Sequence, residues 1–240
     1  NLGLNRNVYT YVGGAFSPSS PISIASQPVH ESNSDITAEH LGLTPENVGD
    51  YDGDGNQDED DVTAAREAVL RIARGVNEYD PYVPIAQMGD PIHSRPEVIV
   101  YDGDINDADS DGVIEPTFAI AVSTNEGYFH LFNATNGEEL FSFIPKETLP
   151  LIWQINKALP TGSGATRFDT YGLDASPVVL WVDNNGDNVI SSLDGDRVIA
   201  FLSQRRGGRN LYALDITEVT APKLLWHIEG GVTAGFDELG

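Results

Sequence analysis

Four apolar runs between residues 96 and 145, PEVIVYDG, PTFAIAVSTN, GYFHLFNA and EELFSFIP, return in the same order between 176 and 229 as SPVVLWVD, DRVIAFLSQ, NLYALDIT and KLLWHIEG. Pro96 matches Pro177 and Phe129 matches Leu211, so the copies stay almost in register across whole four-strand units. β-Branched and aromatic residues fill the runs and Gly, Asn and Asp separate them, which is the composition of strands joined by turns. Self-similarity in four-strand units predicts propeller blades: an all-β chain, here a partial β-propeller of quinoprotein-like type with four-stranded antiparallel blades. The inner runs are apolar on successive residues, as expected of strands covered on both faces. A β-sandwich with a duplicated sheet is the alternative. Propellers close with about four to eight blades, so two copies imply further blades outside this stretch, or other chains covering the open faces. Phe141 and Trp226 hold the same place in the last strand of each copy, and both are expected to dock between neighbouring blades.

Acidic residues are concentrated at the same bend of each copy and in one stretch ahead of them. Asp and Glu outnumber Lys and Arg 37 to 13 for a formal charge of -24, and 17 of the 37 acids fall in 50–61, 102–115 and 183–196. Charge at that density needs a counter-ion, and the spacing names it. In 183–194, acceptors fall at Asp183, Asn185 and Asp187, the Val189 carbonyl follows and Asp194 closes. That is the ligand rhythm of an EF-hand-type calcium loop, with oxygen ligands at alternate residues over about twelve positions. In 50–61, Asp50, Asp52 and Asp54 take the alternate positions, Gly55 supplies the turn, Asn56 offers its carbonyl, Asp58 follows and Asp61 closes. The third instance, 102–115, offers Asp107, Asp109, Asp111, the Val113 carbonyl and Glu115, but Phe118 stands at its twelfth position, so the closing carboxylate is missing. Asn188 replaces the usual turn glycine in the last loop and tolerates the left-handed conformation. Hard oxygen donors without His or Cys select calcium over zinc or copper, about three ions in all.

The segment DEDDVTAAREAVLRIARG after the first loop predicts a helix, with acids in its first turn, Arg71 and Arg74 in its last and Gly75 as the stop. Loop plus helix is half of a dockerin-like module. A short helix is expected in 35–41, another after the N-cap and proline pair Thr44–Pro45, and a helical segment over 148–159. These readings divide the chain into an entry region at 1–34, a helical insert with a calcium loop at 35–80, and two blades with a helical connection at 81–240. The absence of Met or a signal peptide at Asn1 and of a stop at Gly240 suggests an excised part of something longer.

Several function classes find little support. A chain of this charge repels a phosphate backbone, so nucleic acid is a poor partner. No apolar run approaches the roughly 20 residues of a membrane helix. Cysteine is absent, the five histidines show no HExxH spacing, and no Ser sits in a GxSxG elbow, so the chain is read as a non-enzyme. His93, in the turn HSRP, is the histidine with the best claim to more than a local hydrogen bond. RRGGR at 205–209 is the one basic cluster, read either as a solvated turn or as arginines bridging to an acidic neighbouring surface.

Finally, GDPIHSRPEVIVY, EGYFHLFNATNGEELFSFIPKETLP, ASPVVLWVD and GDRVIAFLSQRRGGRNLYALDIT resemble the C-terminal propeller of the PilY family of calcium-binding type IV pilus assembly and tip-adhesin proteins. RNVYTYVGG and IARGVN look like that family's entry region, while the blade phrase itself is shared with quinoprotein-type propellers. The resemblance implies a cell-surface, extracellular protein acting in pilus assembly or adhesion, with pilus subunits or a surface receptor as partners and calcium as a structural or regulatory ion. The chain lacks the family's N-terminal adhesive domain and has no Arg-Gly-Asp tripeptide, so integrin binding is not carried over. The alternative is a subunit of an extracellular filament in which identical chains stack on open blade faces, and a quinoprotein-type enzyme stands third.

Overall fold

The computed structural model describes residues 6–13, 20–85, 88–102, 116–158, 171–236 and 238. It is mostly β, built on two five-stranded sheets. The first is a four-stranded antiparallel meander of β3 (Glu97–Tyr101), β4 (Thr117–Ser123), β5 (Phe129–Asn133) and β6 (Glu139–Pro145). The second repeats it with β7 (Val178–Val182), β8 (Arg197–Ser203), β9 (Leu211–Asp215) and β10 (Lys223–Ile228). All eight apolar runs are therefore strands in the expected antiparallel order.

Each meander gains a fifth strand from the N-terminal region. β1 (Val8–Tyr11) runs parallel to β6, Val8 opposite Ser142, and β2 (Ile22–Ser23) pairs antiparallel with β10. The first segment of the chain thus lies on the outer edge of both sheets.

The two meanders match row by row. Glu97, Ala121, Leu131 and Phe141 lie side by side in the first sheet, and Val178, Phe201, Ala213 and Trp226 do so in the second. Both last strands carry a bulge just before the aromatic, which turns Phe141 and Trp226 onto the corresponding face. The faces differ in what covers them. Ala121, Leu131 and Phe141 are fully buried against Val198, Ala200, Leu202 and Leu214 of the second sheet, in the larger of two cores. In the matching row of the second sheet Ala213 is buried, but Phe201 and Trp226 are only half-buried, their rings 5.8 Å apart, and on the same face of the edge strand Val178 is 64% exposed and Leu180 46%.

The helical region packs on the other side of the first sheet. α1 (Pro45–Val48) starts from a reciprocal Thr44–Asn47 cap with Pro45 at its first position, and α2 (Glu59–Ala73) from a matching Asp58–Asp61 cap. α2 presents Val62, Ala65, Val69 and Ile72 to a second core with Leu41, Tyr128, Ile144 and α3 (Leu149–Ala158). Only a 3₁₀ turn, Glu39–Leu41, forms where a short helix is expected over 35–41; Gly42, left-handed at φ 66°, ends it.

A buried charged cluster joins these parts. Arg6 donates from Nε to Glu139 Oε2 at 2.5 Å and from Nη2 to Oε1 at 2.9 Å, and His130 Nδ1 lies 2.6 Å from the same Oε1. All three side chains are 2–3% exposed. Arg6 lies over the Tyr128 ring, and the Tyr128 hydroxyl donates to the Ala73 carbonyl of α2.

Candidate functional site

Two of the acidic loops lie within the described residues, and they are one structure built twice. In the 50–61 loop, the Asp50 carboxylate accepts the N–H groups of Gly53 (2.9 Å) and Gly55 (3.1 Å). In the 183–196 loop, Asp183 accepts those of Gly186 (2.7 Å) and Asn188 (2.9 Å), at the same offsets. Asp52 and Asp54 accept the N–H groups two residues on, and Asn185 and Asp187 do the same. The turn is left-handed at Gly53 and Gly55 in one loop, and at Gly186 and Asn188 in the other, Asn188 at φ 66°. A Cβ at Gly53, Gly55 or Gly186 would meet nothing within 4 Å, so backbone conformation alone calls for glycine there.

The frame closes on a buried carboxylate. Asp61, 1% exposed, accepts the N–H groups of Tyr51, Asp52 and Asp58 at 2.6, 3.1 and 2.8 Å. In the other loop that role falls to Asp196, 2% exposed, which accepts Asn184 N–H at 2.8 Å and Ser191 N–H at 3.1 Å. Tyr51 and Asn184 are the second positions of their loops, and Asp58 and Ser191 the ninth. Asp196 thus occupies the structural place of Asp61, displaced by two residues that the 3₁₀ turn Ser192–Asp194 takes up. Asp194, at the twelfth position, instead accepts from the Asn185 amide at 3.2 Å, and that amide also donates to Asp187. Counting alternate residues does not reach Asp196; the signal was the DGD at 194–196, which offers two candidate closures.

Backbone donors favour the ionised form of one acid in each loop. The N–H groups of Asp58, Tyr51 and Asp52 hold the Asp61 carboxyl below the usual carboxylate range against its partial desolvation. Those of Asn188 and Gly186 do so for Asp183. Ligand oxygens of Asp50, Asp52 and Asp54 lie within 4.8 Å of one another, the one such cluster among the described residues. Oxygens bound to calcium at 2.3–2.6 Å stand at most about 5 Å apart, so this donor set fits the ion in chemistry and spacing. Asn56 lies beside Asp54, its amide donating to that carboxylate, and Asp58 caps α2. Asp107, Asp109, Asp111, Val113 and Glu115 lie outside the described residues.

Each loop is anchored differently. The 50–61 loop opens α2 and so reaches the helical core. The 183–196 loop is the bend between β7 and β8 and is stitched to the first sheet: Asp102 N–H donates to the Ile190 carbonyl, and Ile190 N–H to that of Val100, both at 2.8 Å. A change in this loop therefore bears on both sheets.

No family model matches the chain. Among curated proteins, it is 33% identical over 109 residues, 45% of its length, to the type IV pilus biogenesis factor PilY1 of Pseudomonas aeruginosa, and 27% identical over 109 residues to the PilY1 homolog of Xylella fastidiosa. The chain spans 8% of the length of each. Among solved structures, the crystal structure of the Pseudomonas aeruginosa PilY1 C-terminal domain matches 47% of this chain and 18% of its own at 30% identity, with a TM-score of 0.29.

Proposed function

We propose, from the premise that this chain is a PilY-type protein, that it is a calcium-stabilised piece of a β-propeller in a cell-surface factor of type IV pilus biogenesis or adhesion, with a non-catalytic role. The observation that carries the calcium reading is the repeated loop frame, in which four or five acceptor groups are held on one short backbone path around Asp50 and Asp183. Calcium takes six to eight oxygen ligands in flexible geometry, which suits such loops better than the strict octahedron of magnesium. The ion would lie among Asp50, Asp52, Asp54, the Asn56 carbonyl and Asp61 in one loop. In the other it would take Asp183, Asn185, Asp187, the Val189 carbonyl and a closing carboxylate, and 102–115 is proposed as a third site. Bound there, calcium supplies charge neutralisation and cross-linking of the loop.

An ion that binds only the folded loop adds about 2.7 kcal/mol of stability per site at a hundredfold excess over Kd. Chelation should therefore lower the melting temperature, with calcium restoring it at lower concentration than magnesium. Elemental analysis should find one ion fewer in Asp54→Ala and in Asp187→Ala. Protein purified without chelator that carries no calcium, with a melting curve indifferent to added calcium, would overturn the reading. The closing ligand is tested separately. Asp196→Ala should lose the ion of its loop and Asp194→Ala keep it; the reverse would place closure at the twelfth position.

The pilus role rests on the relatedness to PilY1 and is tested in the cell. Deleting residues 176–229 from the parent gene should reduce surface pili, and unchanged piliation with unchanged adhesion would refute it.

A second reading, a filament subunit, is favoured by the outward face of β7 and β8. That face repeats, row for row, the one the first sheet buries, so a further sheet is the cover it fits. A propeller supplies that sheet from the same polypeptide, a filament from an identical chain. Light scattering with and without calcium separates them: a monomer disfavours the filament, and long assemblies disfavour the rare pilus factor.

A further inference from the structure

At the end of the sheets away from the 183–196 loop, three connections meet backbone to backbone: 124–128, 171–177 and 204–210. A Cβ on Gly207 would stand 2.1 Å from the Gly172 carbonyl oxygen, and one on Gly172 would stand 2.4 Å from Gly127 Cα. Such contact leaves these loops no room to shift. The 204–210 turn is also locked from inside, because Gln204 is buried, its carbonyl accepts Asp174 N–H and its side-chain oxygen accepts Asn210 N–H. Arg205 follows in the left-handed region at φ 51°, a strained conformation for a residue with a Cβ.

The platform has a charged centre. Asp174, its side chain 1% exposed, has one carboxylate oxygen 2.6 Å from His93 Nδ1. The other oxygen is buried and accepts no hydrogen bond, standing 3.6 Å from Arg205 Nη1 and 4.0 Å from Arg206 Nε. The two guanidinium groups are thus drawn to a fixed charge beneath them without using their donors on it. Arg206 lies over the Tyr171 ring at 5.4 Å and donates to its hydroxyl; Arg205 makes no hydrogen bond through its side chain among the described residues. Both arginine side chains are half exposed, at 51% and 52%.

We propose that Arg205 and Arg206 form a binding site for a carboxylate presented by an acidic protein segment. A guanidinium carries five donors in a planar fork that matches a carboxylate in bidentate fashion. Two such forks, held in place by Asp174 and Tyr171, are preorganised, so docking costs little side-chain freedom. Asp174 also sets the charge of the ligand. Two guanidinium groups over the one Asp174 carboxylate sum to a single positive charge, which suits a carboxylate better than a phosphate dianion. On a chain of formal charge -24, this local reversal of sign also confers selectivity of position.

The probe is a ten-residue peptide alternating Glu and Ser, titrated against the full 240-residue chain at about 0.15 M salt, where screening reduces the long-range repulsion of the whole protein. Its Gln/Ser counterpart and inorganic phosphate are the other arms. The Glu peptide should bind at least tenfold more tightly than either. Arg205→Gly distinguishes recognition from structure, because glycine relieves the left-handed strain while removing the guanidinium. That variant should melt at or above the parent temperature and bind the Glu peptide about tenfold more weakly, and Arg206→Gln should also weaken binding. Equal binding of the Gln peptide, tighter binding of phosphate, or undiminished binding by folded Arg205→Gly and Arg206→Gln would each overturn the proposal.

Discussion

Phe141→Ala should cost about 3–5 kcal/mol of stability, the loss expected when a large aromatic is removed from a fixed core. Phe141 is fully buried between the sheets, its ring 6.0 Å from that of Phe129 and 6.3 Å from that of Tyr9. Trp226→Ala, its positional twin, should cost less than half as much in this chain, because Trp226 faces outward and rests mainly on Phe201. Denaturant unfolding of the two variants measures the difference. Were the Trp226 cost to match that of Phe141, some surface would already cover the outer face. In a longer polypeptide that supplies the next sheet, the two costs should converge, so the same pair of variants reports on whether the face is covered.

Glu139→Ala should be comparably damaging, for an electrostatic reason. Removing one partner of a buried ion pair leaves the other charge without compensation, at about 3–5 kcal/mol, and here the stranded group would be Arg6. The same cluster makes stability fall in acid. Burial pushes the Glu139 carboxyl up, but hydrogen bonds from His130 and Arg6 outweigh it and bring its pKa down to about 2. A depressed carboxyl contributes its stability above its unfolded value of 4.5 and loses it as pH falls toward 2, on the order of 3 kcal/mol. His130 is held below its ordinary 6.5, chiefly by burial. The unfolded chain therefore takes up its proton first as pH falls below 6.5, which weakens the fold further. Unfolding midpoints should drop steadily from pH 7 to pH 2, and much less in Glu139→Gln combined with Arg6→Met. A flat profile in the parent would show that the cluster does not control acid stability.

The local half of this architecture was legible because its signals are local. Eight strands followed from eight apolar runs, and the α2 helix from its acidic start, its apolar face at Val62, Ala65, Val69 and Ile72 and its glycine stop. The acidic loops could be placed by counting alternate residues from Asp50 and Asp183. What escaped was set by distant partners. Nothing in NVYTY says that it runs parallel to β6, since strand order is settled by which edge is free. Arg6, Glu139 and His130 are far apart in sequence and carry no spacing. Asp196 escaped for a different reason: the backbone inserts two residues and still brings a carboxylate to the same amides, so the loop preserves geometry while breaking count.

The N-terminal edge strands have a consequence for how the chain is made. Thr10 bonds to the carbonyl of Ile144, 134 residues further on, and β2 waits longer still, for β10. At synthesis rates of about 5–20 residues per second, the first of these partners emerges roughly 7–27 s after β1. For that interval a segment carrying Val8, Tyr9 and Tyr11 has no sheet to join, while the open edge of β6 becomes available only at the end of it. Contacts of such sequence separation form slowly, and an unpaired edge invites another chain. The seam that completes both sheets thus joins strands to partners made more than a hundred residues later, and its hazard is exchange of β1 between neighbouring nascent chains.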